Sequence, residues 1–202
     1  MRTKYIDDAM ERFARAGPRQ VVNLGSGLCT RPYRMGALDR CRAYYEIDLP
    51  DVVRAKTRLI RQAGARALCP LVTLTVDLTG APGTLECALL SAGFDPSVPT
   101  LFVAEGLSMY LSAEVNRRLF EESNRISAPG GSELLVGFIS ESALLPKSIP
   151  FTIEPAEMRA LFSATGWRDP SVSVYGDASL SFGRYPKDRG PDTSQCFCIA
   201  SK

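Results

Sequence analysis

Four short stretches of this chain place groups suited to small-molecule chemistry just past apolar runs: Gly25-Ser26-Gly27, Asp48, Asp77-Leu78 and Glu105-Gly106. In VVNLGSGLCTRPYRM the run leads straight into two glycines. They let the chain turn sharply and bring backbone N–H groups close to a ligand, with a helix N-terminus expected behind them. The strict dinucleotide pattern G-x-G-x-x-G asks for Gly or Ala at position 30, and Thr30 weakens a pyrophosphate reading. A purely structural turn is the alternative. Asp48, in YYEIDLP, ends the next run about 20 residues past the glycines, where an acid can accept hydrogen bonds from both ribose hydroxyls of an adenosine ligand. Each such bond to a charged acceptor contributes about 1.5–3 kcal/mol, enough to select a nucleoside. Capping of the helix that opens at Leu49-Pro50 is a second role, compatible with the first. Asp77 and Leu78, in LTVDLTG, could turn a side chain and a backbone amide toward an adenine, or form a plain turn. Glu105, in LFVAEGLSMYL, closes the fourth run.

These residues need a scaffold, and the chain supplies an α/β pattern. Short apolar runs alternate with segments of helical spacing, as in a parallel sheet covered by helices on both faces. Seven strands are expected: QVVNL (20–24), AYYEI (43–47), LVTLTV (71–76), TLFVA (100–104), ELLVGFI (133–139), VSVY (172–175) and CFCIA (196–200). Strands one and four flank the switch point of such a sheet, so Gly25 and Glu105 should face one another across the crevice. A first helix is expected over about 3–16, with Tyr5, Ile6, Ala9, Met10 and Phe13 on one face. A second, opened by Pro50 and stopped at Gly64, should turn Val52, Val53, Lys56, Leu59 and Ile60 inward or half inward, leaving Arg54, Arg58 and Arg61 as a solvated stripe. Ser112 can cap a helix bearing Val115, Leu119 and Ile126, and Pro155 opens another bearing Met158, Leu161 and Phe162. Residues 183–194 read as a loop.

The 202 residues suit one domain, expected over 1–202, that buries roughly 70% of its unfolded surface. Hydrophobic residues at 45% and charged ones at 23% exclude disordered and fibrous classes. The net charge of +2 implies neither a nucleic-acid nor a membrane partner, no apolar run approaches the roughly 20 residues that span a bilayer, and the acids Asp7, Asp8 and Glu11 argue against a transit peptide. A cytoplasmic chain is expected. Six cysteines without a CxxC pair, and no histidine, leave no recognisable metal site and favour reduced, buried thiols. The missing histidine also removes the commonest general base near neutral pH.

Taken together and in order, RTKYIDD, VVNLGSGLCTRPYRM, YYEIDLP, VDL and AEGLSMYL resemble the leucine carboxyl methyltransferase family, which includes tetracenomycin-type polyketide O-methyltransferases. The resemblance covers residues 2 to about 139, and Gly166-Trp167 fits the family's later part. It implies an S-adenosylmethionine-dependent O-methyltransferase with a Rossmann-like, seven-stranded, mostly parallel sheet whose last strand is antiparallel. It further implies cofactor contacts by Arg2 (methionyl carboxylate), Gly25 and Gly27 (floor), Asp48 (ribose), Asp77 and Leu78 (adenine) and Glu105 (the acid after strand four). Tyr110 falls on the family's aromatic position near the reaction crevice and is the catalytic candidate the resemblance implies. The acceptor would be a carboxylate or hydroxyl of a small molecule or of a protein C-terminus.

Three departures from the family stand out. Cys29-Thr30-Arg31 replaces the Asp-Thr-Arg of most relatives, removing one carboxylate near the cofactor. The stretch before the RT motif is short, and SESALLPKS leads almost directly into the helix at Pro155 where relatives often carry substrate-recognition elements. A catalytically silent cofactor-binding relative and, less favoured by Thr30 and Glu105, a nicotinamide-dependent oxidoreductase are the competing readings.

Overall fold

The computed structural model describes residues 1–140, 149–186, 188 and 192–202, so most of SESALLPKS lies outside the described residues. One sheet of seven strands runs through the molecule in the order β3-β2-β1-β4-β5-β7-β6. The strands are β1 (Gln20–Leu24), β2 (Ala43–Asp48), β3 (Leu71–Thr75), β4 (Thr100–Ala104), β5 (Glu133–Phe138), β6 (Arg168–Tyr175) and β7 (Asp192–Ser201). The first five pair in parallel, and β7 inserts antiparallel between β5 and β6. Parallel strands buried on both faces need continuous apolar runs, and β1 and β4 are buried at all five positions. Where β-branched runs stop, β6 and β7 continue: their antiparallel ribbon pairs Tyr175 with Asp192, so β7 begins inside the stretch expected to be a loop. Backbone pairing, not side-chain hydrophobicity, sets that boundary.

The helices are α1 (Arg2–Arg15), α2 (Arg31–Arg34), α3 (Pro50–Gln62), α4 (Thr84–Ser91), α5 (Ala113–Ile126), α6 (Pro155–Ala164) and α7 (Ala178–Ser181). On one face of the sheet, Ile6, Met10 and Phe13 of α1 pack on Val21, Tyr44, Leu101 and Leu135. On the other, Leu85 and Leu89 of α4, Leu119 and Phe120 of α5 and Phe162 of α6 pack on Val22, Phe102 and Leu134. Ser112 caps α5 as its type requires, its hydroxyl accepting the Val115 N–H at 3.2 Å. Trp167 is 1% exposed and its indole N–H donates to the Phe120 carbonyl at 3.0 Å, tying β6 to α5. Gln20 does similar work at the base of the β1–β4 pair, its amide bonded both ways to the backbone of Asp95 at 2.9 and 3.1 Å.

Two expectations about the helices change. The helix behind the glycine turn is a single turn, because Met35 leaves helical geometry directly after Arg34. In α3, Lys56 is buried but Leu59 is 45% exposed, because α3 lies over the β2–β3 margin, where few neighbours reach its outer flank. Among the described residues no disulfide is formed; Cys87 on α4 is exposed and Cys29 half-buried, while the other four cysteines are buried as expected.

Candidate functional site

The loops after β1 and β4, with the start of α1, line a cleft of about 410 Å³, within the roughly 300–1,000 Å³ of small-molecule pockets. Arg2, Gly25, Ser26, Gly27, Cys29, Arg31, Glu105 and Gly106 are among its lining residues. Strand adjacency brings them together: Asn23 of β1 is paired with Val103 of β4, so the loops that follow open side by side. Gly25 has φ +63° and its missing Cβ would lie 2.8 Å from Leu107 Cδ1, so a side chain there would strike the wall of the β4 loop. Gly27 has φ +50° but open space where its Cβ would stand. Replacing either glycine by alanine therefore imposes left-handed strain of about 1–2 kcal/mol, and at Gly25 the Leu107 side chain must also shift to make room. Thermal melting should show each variant losing roughly 2–8 °C, the amount this strain implies for a chain of this size.

Asp48 ends β2 half-buried and is tied to the glycine loop. Its Oδ2 accepts the Gly27 N–H at 2.6 Å and its Oδ1 the Leu49 N–H at 2.8 Å. The N-cap of α3 is Leu49, so the carboxylate of Asp48 serves the loop across the strand ends and does not cap the helix. Each oxygen keeps a lone pair for a further donor.

Charge in the cleft is arranged as a chain. Glu105 Oε1 meets Arg2 Nε at 2.9 Å and its Oε2 meets Arg31 Nη1 at 2.5 Å. Arg31 is 3% exposed, and its Nε donates to Asp7 Oδ1 at 2.7 Å. Asp7, on α1, also accepts from Arg34 at 2.8 and 2.9 Å. Burial alone would lower the Arg31 pKa and raise that of Asp7. For Arg31 the neighbouring Cys29 and the Glu105 and Asp7 carboxylates overcome it and push the value up; for Asp7 the Arg34 and Arg31 hydrogen bonds overcome it and push the value down. Both groups therefore stay charged at neutral pH.

Of the residues singled out in the sequence, Arg2, Gly25, Gly27 and Glu105 line this cleft and Asp48 is one hydrogen bond from it. Asp77, Leu78 and Tyr110 are not among the lining residues. Asp77 is exposed just past β3, where it accepts both the Thr79 N–H and hydroxyl; those bonds lower its pKa. The Leu78 side chain is in the core, while its carbonyl accepts from Arg118 Nη2 at 2.8 Å. Tyr110 is 66% exposed, in the turn Ser108–Tyr110. Sequence reasoning did not find Asp7 and Arg31 as partners, since no periodicity links residues 7, 31 and 105. Their charge beside the RT and glycine motifs was the available signal. Among the described residues no group of three or more His, Cys, Asp or Glu could hold a metal ion, and no helix is long and apolar enough to cross a membrane.

A donor carrying an amino-acid head on an adenosine fits these residues. Glu105 and Arg2 offer opposite charges side by side, the glycines leave room for close backbone approach, and Asp48 has acceptor capacity to spare. The strand order with its antiparallel β7 is that of the class I S-adenosylmethionine-dependent methyltransferases. A crystal structure of a provisionally described methyltransferase from Thermobifida fusca YX superposes with a TM-score of 0.69 at 19% identity, over 100% of this chain and 80% of the other. Magnesium protoporphyrin IX methyltransferase from Synechocystis PCC 6803, with bound SAH, superposes with a TM-score of 0.61 at 11% identity, over 98% and 82%. The chain belongs to the leucine carboxyl methyltransferase family, whose sequence profile matches residues 1–124. A Mycolicibacterium smegmatis protein, provisionally named an S-adenosyl-L-methionine-dependent methyltransferase, is 42% identical over 132 residues, 65% of this chain and 42% of that protein. The matched chain thus spans less than half the length of that relative.

Proposed function

We propose that the cleft binds S-adenosylmethionine and that the chain transfers its methyl group to an oxygen of a small molecule or of a protein C-terminus, a carboxylate in preference to a phenol. The observation that carries the reading is the Arg2–Glu105 pair. Opposite charges adjoin at a glycine-floored cleft, one strand from the acid Asp48, and complement the zwitterionic head and ribose of that donor. In this reading Arg2 takes the methionyl carboxylate and Glu105 the ammonium. Gly25 and Gly27 form the floor, Asp48 accepts from the ribose hydroxyls, and the Asp77-Leu78 turn meets the adenine. Tyr110 stands on the acceptor side.

When bound, the donor supplies an electrophilic methyl group on a sulfonium. The protein's part is alignment, which can contribute up to about 7–11 kcal/mol of a barrier, so no protein nucleophile is required. The chain has no histidine. A carboxylate acceptor, with a reference pKa near 4, is already ionised at neutral pH, whereas a phenol near 10 would call for a base. The family's description as carboxyl methyltransferases supports the same preference.

Calorimetric titrations with S-adenosylmethionine and with NAD, run side by side, should give heat with the first and none with the second; the reverse would overturn the cofactor. A panel of acceptors should then be methylated at free carboxylates. Transfer to phenols but to no carboxylate would overturn the acceptor class, and binding without transfer across the whole panel would make the chain a silent cofactor-binding relative.

A further inference from the structure

The guanidinium of Arg31 is the most deeply buried charge in the cleft, and the cofactor reading assigns it nothing. We propose that Arg31 is a positioning residue: it fixes Glu105 for the amino-acid end of the ligand and, through Asp7, makes the docking of α1 part of the same recognition. The proposal rests on the S-adenosylmethionine reading and deepens it.

The two oxygens of Glu105 have different partners. Oε2 is held by Arg31, 3% exposed, whereas Oε1 meets Arg2, whose side chain is 51% exposed. Only the second contact can be exchanged cheaply for an incoming ammonium, because the exposed Arg2 can swing from Glu105 to the ligand's carboxylate while the buried Arg31 cannot move. Arg31 thus orients the carboxylate before any ligand arrives, and an acceptor held in place loses less freedom on binding. The fork geometry matters. Nη1 serves Glu105 while Nε serves Asp7, two carboxylates at fixed angles that a lysine point charge cannot satisfy together. Asp7 and Arg2 lie on the same helix, so the element that carries the exchangeable cation is anchored by the guanidinium that holds the fixed oxygen. Arg34 on the far side of Asp7 completes the anchor.

The test uses two ligands that share the nucleoside and differ in the head: S-adenosylhomocysteine and methylthioadenosine, which lacks the amino acid. Against the full wild-type chain, Arg31→Lys should weaken S-adenosylhomocysteine roughly 10–100-fold, as expected for a misaligned bond to a charged group, and methylthioadenosine by no more than about twofold. Hydrogen exchange in α1 should rise in the same variant. Should Arg31 variants fail to fold, Asp7→Asn leaves the Arg31–Glu105 contact in place. It should lower the preference for the amino-acid ligand by roughly 3–10-fold, the scale of one weakened polar contact. Equal losses for both ligands, or unchanged affinity for both, would overturn the proposal by making Arg31 structural or idle. A wild-type chain that binds neither ligand would overturn the cofactor reading itself, and this inference with it.

Discussion

Replacing Asp48 by alanine should lower affinity for S-adenosylmethionine by at least roughly 100-fold while leaving the fold intact. The carboxylate sits at the end of β2, half-buried, and already organises the glycine loop through the Gly27 N–H at 2.6 Å. If its remaining lone pairs receive two ribose hydroxyls, two bonds to a charged acceptor disappear at once. At about 1.5–3 kcal/mol each, their sum is 3 kcal/mol or more, and every 1.4 kcal/mol is tenfold in affinity. Asparagine, which keeps one acceptor oxygen and swaps the other for a donor, should fall between, near tenfold. Both variants loosen the Gly27 and Leu49 contacts of a half-buried side chain at the rim of the fold, a loss the core on either face of the sheet can bear. Isothermal titration of wild type, Asp48→Asn and Asp48→Ala against S-adenosylhomocysteine reads the series directly. A flat series would place the ribose elsewhere.

The reach of the sequence can be seen by comparing Asp48 with Arg31. Asp48 and Gly25 were legible because both lie at strand ends, and β-branched runs announce strands; once β1, β2 and β4 are neighbours, their ends converge without further information. Glu105 was legible for the same reason. Arg31 and Asp7 were not, because their contact depends on how α1 docks over the turn after β1, a tertiary choice with no period in the sequence. Helix α4 is silent in the sequence on different grounds: TLECALLS is apolar without a clear stripe, and its N-cap is Gly83 in a left-handed conformation with no side-chain cap, so neither period nor capping chemistry marks it. Helical spacing turns Lys56 inward without revealing its partner. Glu46 is embedded in YYEID, where a buried strand hides a charge among aromatics.

That buried pair yields the largest stability effect. Glu46 is 1% exposed, and Lys56 of α3 reaches it with a side chain 7% exposed. Burial pushes the Glu46 pKa up, and the Lys56 hydrogen bond and charge pull it only part of the way back. Lys56→Met removes the counter-charge and leaves the carboxylate in the interior, which for a buried pair costs about 3–5 kcal/mol. For a chain of this size that corresponds to a melting point roughly 6–20 °C lower. The double variant Glu46→Leu/Lys56→Met, apolar on both sides, should recover most of the loss, because the penalty belongs to the orphaned charge and not to the absent pair. The pH dependence fixes the sign. An acid whose folded pKa lies above its unfolded value binds more protons when folded, so its favourable contribution is complete below the unfolded pKa and lost as pH rises through the folded one. In Lys56→Met the folded pKa of Glu46 climbs further, so the deficit against wild type should be greatest at neutral pH and shrink on acidification toward the ordinary glutamate range. Thermal melts of wild type and both variants across that range measure it. A deficit that stays constant with pH, or a double variant no more stable than the single, would mean that the lost lysine stem, and not the uncompensated charge, accounts for the change.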